Sequence, residues 1–276
     1  MSRYCISLFF FLLYALGSAQ SEPIDLNKKD TVAYKQPYGI RVGVDLSRVL
    51  VSFLEDNYTG LEFVGDYRLT NKLYLAGELG NEKKTIGVPL GNEINNPAGD
   101  LYSFTTSGSY IKLGIDYNTY GNWYGEQNMI YVGGRYAFST FSQTLDNYKI
   151  FNTDRYWNPD DFAVGTTQNQ EFSSLNASWL EFVVGIKAEI LKNLYFSASA
   201  RLAFYITNKQ PENNAFRNLF IPGFNKVTDG SKFGVGYNYS ISYLIPLYKK
   251  SNKPKEEPVE ELLEEVQPNE EFEEGF

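Results

Sequence analysis

The sequence predicts an all-β fold: an eight-stranded antiparallel up-and-down transmembrane β-barrel with a disordered acidic C-terminal tail. Three observations carry this reading. Eight segments alternate apolar and polar residues with a period of two, as strands do when their two faces meet different surroundings. The apolar face of every segment is free of charge, while the opposite face holds seven cations and seven anions among Gly, Ala and Ser. Short turns alternate with long connections, the pattern of barrels with tight turns at one end and long loops at the other.

The chain begins with an address. Arg3, an apolar run over residues 6–16 and the small residues Gly17, Ser18 and Ala19 form a cleavable signal peptide over 1–19. The run falls short of the about 20 apolar residues a spanning helix needs. Residues 20–37 follow as a periplasmic N-terminal arm, and Cys5, the only cysteine, leaves with the signal peptide.

The barrel is placed at residues 38–248. Its first segment, 40–46, sets Ile40, Val42, Val44 and Leu46 against Arg41 and Asp45. The second, 59–69, sets Leu61, Phe63, Tyr67 and Leu69 against Glu62, Asp66 and Arg68. In the third, 72–79, Leu73, Leu75 and Leu79 oppose Lys72 and Glu78. The fourth, 111–117, opposes Ile111, Leu113, Ile115 and Tyr117 to Lys112 and Asp116. The fifth, 130–138, opposes Ile130, Val132, Tyr136 and Phe138 to Arg135. The sixth, 180–190, sets Leu180, Phe182, Val184, Ile186 and Ile190 against Glu181, Lys187 and Glu189. The seventh, 194–204, sets Leu194, Phe196, Leu202 and Phe204 against Arg201. The eighth, 233–245, carries Phe233, Val235, Tyr237, Tyr239, Ile241, Tyr243 and Ile245 opposite Gly, Asn and Ser.

A balanced charged face rich in small residues fits a narrow lumen filled by ion pairs. The expected lumen network is Arg41, Asp45, Glu62, Asp66, Arg68, Lys72, Glu78, Lys112, Asp116, Arg135, Glu181, Lys187, Glu189 and Arg201. The turn Thr70-Asn71 is short, whereas the connections after the third, fifth and seventh segments run about 20 to 40 residues. Aromatic residues make up 16% of the chain, and Tyr38, Tyr67, Tyr117, Tyr120, Trp123, Tyr124, Trp179 and Tyr243 fall where the membrane-interface belts would lie. Outer-membrane lipid is the expected surrounding, since closure removes the strand edges that lipid does not tolerate.

The net charge is −8, and the tail is its main source. Residues 249–276 contain ten Glu, four Lys and three Pro, a composition that stays disordered. Within it, 258–266 spaces Val259, Leu262, Leu263 and Val266 at i, i+3, i+4 and i+7, the apolar stripe of a short amphipathic helix after Pro258. Too short to hold alone, that stripe is the candidate docking segment for a periplasmic protein.

The segments GDYRLTNKLYLAGELGNEK (65–83), YNTYGNWYGEQNMIYVGGRYAFSTFSQTL (117–145) and WLEFVVGIKAEILKNLYFSASARL (179–202) resemble an uncharacterised family of Gram-negative outer-membrane β-barrels. The resemblance covers roughly residues 35–248 and implies fold and location, with no activity and no functional residues to carry over. The last strand is also similar to the assembly signal of such barrels, in Lys232, Gly234, Tyr237 and Tyr239. That similarity implies the barrel-assembly machinery as a partner during insertion.

Composition excludes much chemistry. Without histidine there is no Ser-His-Asp triad and no imidazole metal site. An acidic chain lacks the clustered cations that nucleic acid requires. Asp154, Asp160 and Asp161 lack the glycine and terminal Glu of an EF-hand loop, so they read as solvated loop acids. Glu62, Asp66 and Glu78 face counter-cations and no cleft, so ion pairing is favoured over acid/base work. Asp30-Thr31-Val32 resembles an O-glycosylation sequon of some envelopes. No cofactor is expected. The expected role is non-enzymatic: an envelope structural or scaffold protein with long external loops and a partner-binding periplasmic tail. The alternative is a narrow solute or ion conduit, or a loop-based ligand receptor.

Overall fold

Strands with one apolar and one charged face bury the charged face only by curling it inward, and closing the sheet also pairs its two edges. The computed structural model describes residues 35–89, 100–120, 127–151, 162–166, 170–209, 220–226 and 232–251. In chain order these form β1 (Lys35–Asp45), α1 (Leu46–Leu54), β2 (Tyr58–Arg68), β3 (Leu73–Pro89), β4 (Asp100–Asn118), β5 (Met129–Phe151) and β6 (Phe162–Thr166). They continue with β7 (Gln170–Leu191), β8 (Leu194–Asn208), β9 (Phe220–Ile221), β10 (Asn225–Lys226) and β11 (Phe233–Ser251). Eight strands pair antiparallel in the ring β1-β2-β3-β4-β5-β7-β8-β11, and β11 closes on β1. The short strand β6 pairs with the far end of β5, and β9 with β10 makes a separate two-stranded hairpin. The strands therefore begin and end three residues outside the predicted limits of 38 and 248.

The surface is inverted relative to a soluble barrel. Leu113 is 58% exposed and Phe182 52%, whereas Lys112 and Glu181, next to them in sequence, are 1% and 4% exposed. Five strands, β3, β4, β5, β7 and β11, run 17 to 23 residues, well beyond the roughly 9–11 a bilayer requires. In β3, β4 and β5 the extra length lies at the loop end, where the outward face changes from Leu and Ile to Asn81, Ser109 and Thr140. The apolar alternation stops there although the ladder continues, which is why the sequence segments came out short.

The turn end is compact. Between β2 and β3, Leu69 N donates to Leu73 O at 3.0 Å and Leu73 N donates to Thr70 Oγ1 at 2.9 Å. Between β7 and β8, Asn193 takes the left-handed conformation at φ 65°, which asparagine tolerates better than most residues.

One element departs from the expected pattern. Leu46 is not the last apolar residue of the first strand but the first of α1, the only helix among the described residues. Asp45 caps it, accepting from Ser47 N at 2.7 Å and Ser47 Oγ at 2.6 Å. Leu46, Val49, Leu50, Phe53 and Leu54 then repeat at helical spacing, a 3.6-residue period that overrides the alternation before it.

Because β1 stops at Asp45, the wall has a seam. Pairing of β1 with β11 ends at Asp45↔Ser240, and with β2 at Val44↔Phe63. Beyond that point β11 from Phe233 to Tyr239 keeps only β8 as a strand neighbour, and β2 from Tyr58 to Glu62 keeps only β3, among the described residues. The helix covers the β2 side: Ser52 Oγ accepts from Gly60 N at 2.8 Å and donates to Gly60 O at 3.2 Å.

Candidate functional site

The ring turns every second side chain inward, so among the described residues the charged side chains converge in the lumen. At the turn end Arg68 is held by neutral oxygens: Gln36 Oε1 at 2.6 Å, Thr70 O at 3.2 Å and Asn71 Oδ1 at 3.3 Å. Its guanidinium lies 4.3 Å from the centre of the Tyr38 ring, which stacks on Tyr248 and donates to Asn71. Above this, Asp66 joins two cations, Arg41 Nε at 2.7 Å and Lys187 Nζ at 2.5 Å. Arg41 in turn lies 4.9 Å from the Tyr74 ring centre and 5.0 Å from that of Tyr195. These rings complement the cation where a second carboxylate is absent from its contacts.

The middle layer is the densest. Glu78 meets Arg201 Nη1 at 2.5 Å, Arg135 Nε at 3.4 Å and Lys112 Nζ at 3.8 Å. Glu181 meets Lys112 Nζ at 2.9 Å and Arg201 Nη1 at 3.2 Å, and it accepts from Trp179 Nε1 at 2.7 Å. Arg135 grips both oxygens of Asp116, at 2.7 and 2.9 Å. Buried charges are tolerable when paired and hydrogen-bonded in this way, because the partners replace lost water.

The upper layer draws on different elements. Glu62 accepts from Tyr110 at 2.5 Å and from Asn238 Nδ2 at 3.0 Å. Glu82 pairs with Arg48 Nη1 of α1 at 2.8 Å, and it accepts from Tyr58 at 3.0 Å and from the backbone N of Gly223 at 3.0 Å. Gly223 lies between β9 and β10, so this hairpin enters the lumen as a plug. A side chain is excluded there twice over, by a φ of +83° and by Tyr110 Cγ 2.6 Å from where a Cβ would be. Ile221 and Phe224 are buried around it, Phe224 edge-on to Trp179 at 5.6 Å. Among the described residues, two cavities between the charged side chains measure about 30 Å³ and 20 Å³. Each has room for one or two waters, given the ~10–15 Å³ one needs.

Of the expected network, twelve residues lie inside: Arg41, Asp45, Glu62, Asp66, Arg68, Glu78, Lys112, Asp116, Arg135, Glu181, Lys187 and Arg201. Asp45 pairs with Arg48 Nε at 3.7 Å, and it is also the helix cap and the acceptor from Asn238 Nδ2 at 2.7 Å. Two residues do not belong. Lys72 is exposed because β3 starts one residue later, and its ammonium lies over Tyr117 at 5.9 Å. Glu189 is exposed at the rim, where the β7–β8 pairing slips, and it accepts from Asn193 N at 2.8 Å. Arg48 and Glu82 take their places, so this network, apart from the Lys84–Glu55 pair at its loop end, still holds seven cations and seven anions among the described residues. Glu82 keeps the parity of Glu78 and was findable by extending the third segment. Arg48 is on a helix, where strand parity gives no signal.

The aromatic expectations divide. Tyr117, Tyr120 and Tyr243 are exposed on the outside near the turn end, and Tyr67 is half-buried there. Tyr38 is not a belt residue but 2% exposed, because the β1–β11 pairing slips between Tyr38 and Gly39, leaving Leu247 over and turning the ring inward. Trp179 is also not a belt residue. It is fully buried in the lumen, since it shares the inward parity of Glu181. Of the assembly-signal residues, Lys232 precedes β11, Gly234 faces inward, and Tyr237 and Tyr239 face outward. Trp123, Tyr124, the tail residues Val259, Leu262, Leu263 and Val266, the loop acids, Thr31 and the signal peptide lie outside the described residues. Among the described residues, no cluster of three metal-ligating side chains is present.

No curated protein matches the chain. Among solved structures, it is similar to Ail, the attachment invasion locus protein of Yersinia pestis, at 8% identity and a TM-score of 0.36 over 77% of this chain and 100% of that one. It is similar to CarO2 of Acinetobacter baumannii at 10% identity and a TM-score of 0.37, again over 77% and 100%. CarO of the same organism gives 11% identity and 0.34 over 79% and 100%. The sequence match is broader, for a family model spans residues 1–250 and leaves only the rest of the acidic tail outside. The chain belongs to that family, the domain of unknown function DUF6048.

Proposed function

We propose that this protein is a non-enzymatic integral component of the outer membrane, a structural scaffold that presents long loops outside and its acidic tail to a periplasmic partner. The observation that carries the reading is the filled lumen. Among the described residues, the layers of paired charges leave cavities of about 30 Å³ and 20 Å³ between them, too small for a solute path through the middle of the barrel. The apolar outer face of Val42, Leu113, Phe182 and Ile186 supports membrane embedding, and the signal-peptide pattern supports export. The same packing argues against the conduit reading, because the charges that would face a permeating ion are occupied by one another.

Planar-bilayer recording tests this directly. The purified barrel is expected to give no single-channel steps. Regular steps that persist in the wild type would overturn the scaffold reading in favour of a conduit. For the tail, envelope extract is passed over barrels with and without residues 256–276. A protein retained only by the full chain is the expected result, and an unchanged bound set refutes tail docking.

A further inference from the structure

The seam left where β1 stops opens into a further cavity, which only Arg48 of the lumen network lines. It measures about 280 Å³, roughly an order of magnitude above the larger lumen cavity. Its lining comes from both sides of the wall. Ile86 of β3 and Phe220 of the plug are buried or half-buried within, whereas Val235 and Tyr237 of β11 are 78% and 65% exposed without. On β8 these two pair with Leu202 and Ala200, and exposed Leu202 belongs to the apolar belt. The slot is thus a lateral passage between the lipid-level surface and the barrel interior. A strand would normally block it, and here α1 stands in the strand's place with Val51 against the slot.

The other end of the cavity is polar and cationic. Arg48 and Lys84 line it against one carboxylate, Glu55, among the described residues. Arg48 is engaged by the buried Glu82, while Lys84 Nζ lies 3.3 Å from Glu55 Oε2 in a pair whose carboxylate is half exposed. Exposed pairs of this kind contribute little and exchange readily with a competing anion. An apolar slot open to lipid, ending at an exchangeable ammonium, complements one kind of molecule: a single apolar chain with an anionic head.

We propose that the seam binds a long-chain fatty carboxylate taken sideways from the lipid layer. Its chain lies among Val51, Ile86, Phe220 and Val235, and its carboxylate displaces Glu55 on Lys84. At about 280 Å³, the slot between α1, β3, β11 and the plug suits one chain rather than the two of a phospholipid. The site rests on the barrel being embedded in a membrane.

The test uses the full mature chain in phospholipid nanodiscs with a palmitate analogue carrying a diazirine within the first few carbons from its carboxylate. After irradiation, the adducts are mapped by tandem mass spectrometry. The expected result is insertion at Val51, Ile86 or Phe220, which annular lipid does not reach. Excess palmitate should remove it and hexadecanol should not. Val51→Trp, which fills the slot, should lower the interior adducts at least ten-fold, and Lys84→Glu should weaken competition by palmitate at least five-fold. Adducts confined to belt residues such as Leu113 and Phe182 overturn the proposal, as do adducts insensitive to palmitate or displaced equally by hexadecanol or phospholipid. Each protein is first checked for gel mobility that shifts on boiling, and Ile86→Trp replaces any Val51 variant that fails. A wild type with no heat shift would fail the membrane-barrel reading itself. A heat-shifting barrel without interior adducts would fail only the fatty-carboxylate site.

Discussion

The middle of the lumen and its loop end contain the same residue types and hold them in different ways. In the middle, Asp66, Glu78, Asp116 and Glu181 each meet one or more cations directly, and every partner comes from a strand of the ring. At the loop end, Glu62 is met by a phenol and an amide, and Glu82 by a helix guanidinium, a phenol and the backbone of a plug. The difference teaches where rigidity comes from. Wall-to-wall ion pairs are fixed by the ladder itself, so breaking one leaves a buried charge that cannot move away. The contacts of Glu82 with Arg48 and Gly223 depend on α1 and β9–β10, which the ladder does not fix, so breaking one of these frees a loop element and spares the wall.

The largest effect is therefore expected in the middle. Glu78→Ala would leave Lys112, Arg135 and Arg201 without their shared anion, and removing one partner of a buried pair costs about 3–5 kcal/mol. Equilibrium unfolding by urea in lipid vesicles, followed by tryptophan fluorescence, measures it. A loss below about 1 kcal/mol, the scale of an ordinary exposed pair, would break the comparison. Asp66→Asn ranks next, at about 3 kcal/mol, because the amide still accepts hydrogen bonds but leaves Arg41 and Lys187 facing each other unneutralised. Adding Lys187→Met should return at least half of that loss, since the two residues act as one unit.

The same contrast explains how far the sequence could be read. Parity along a strand places a side chain on one face or the other, so Arg41, Glu62, Glu78, Lys112 and Glu181 were legible from alternation alone. Tyr38 was not, because a slipped pairing reverses parity locally and nothing in the neighbouring residues marks the slip. Trp179 was legible in principle, for it has the parity of Glu181. Its aromatic character and its position near a predicted boundary pointed the other way. Arg48 and Gly223 were illegible for a further reason: α1 and the plug reach their partners through connections, where no period constrains which side chain points inward. The charge count survived these errors because a closed lumen selects for neutrality as a whole, so each misplaced charge had a counterpart to replace it.

At the loop end the expected effects are smaller and local. Gly223→Ala forces a Cβ toward the Tyr110 ring at a positive φ, a strain of about 1–3 kcal/mol. Hydrogen exchange should show the β9–β10 amides speeding up at least ten-fold while the β7 and β8 amides stay unchanged. Acceleration across the whole ring would mean that the plug is part of the wall's stability, and the distinction between the two regions would fail.

The smallest effect sharpens the comparison from outside the lumen. Lys72 and Glu189 carry the same charges as their inward neighbours and belong to the same alternating segments, yet both are exposed at the turn end. Lys72 has an aromatic ring at 5.9 Å and Glu189 a backbone amide at 2.8 Å, contacts that water can replace. Lys72→Gln should shift stability by no more than about 0.5 kcal/mol, the range of surface substitutions that break no buried contact. Lys112→Gln, also a lysine in the same parity pattern, should cost several times more because Glu181 and Glu78 lose a cation at 1% exposure. If urea unfolding gave Lys72→Gln and Lys112→Gln equal losses, burial would not be what separates the two lysines. The distinction between a charge held by the ladder and one held by solvent would then have to be abandoned.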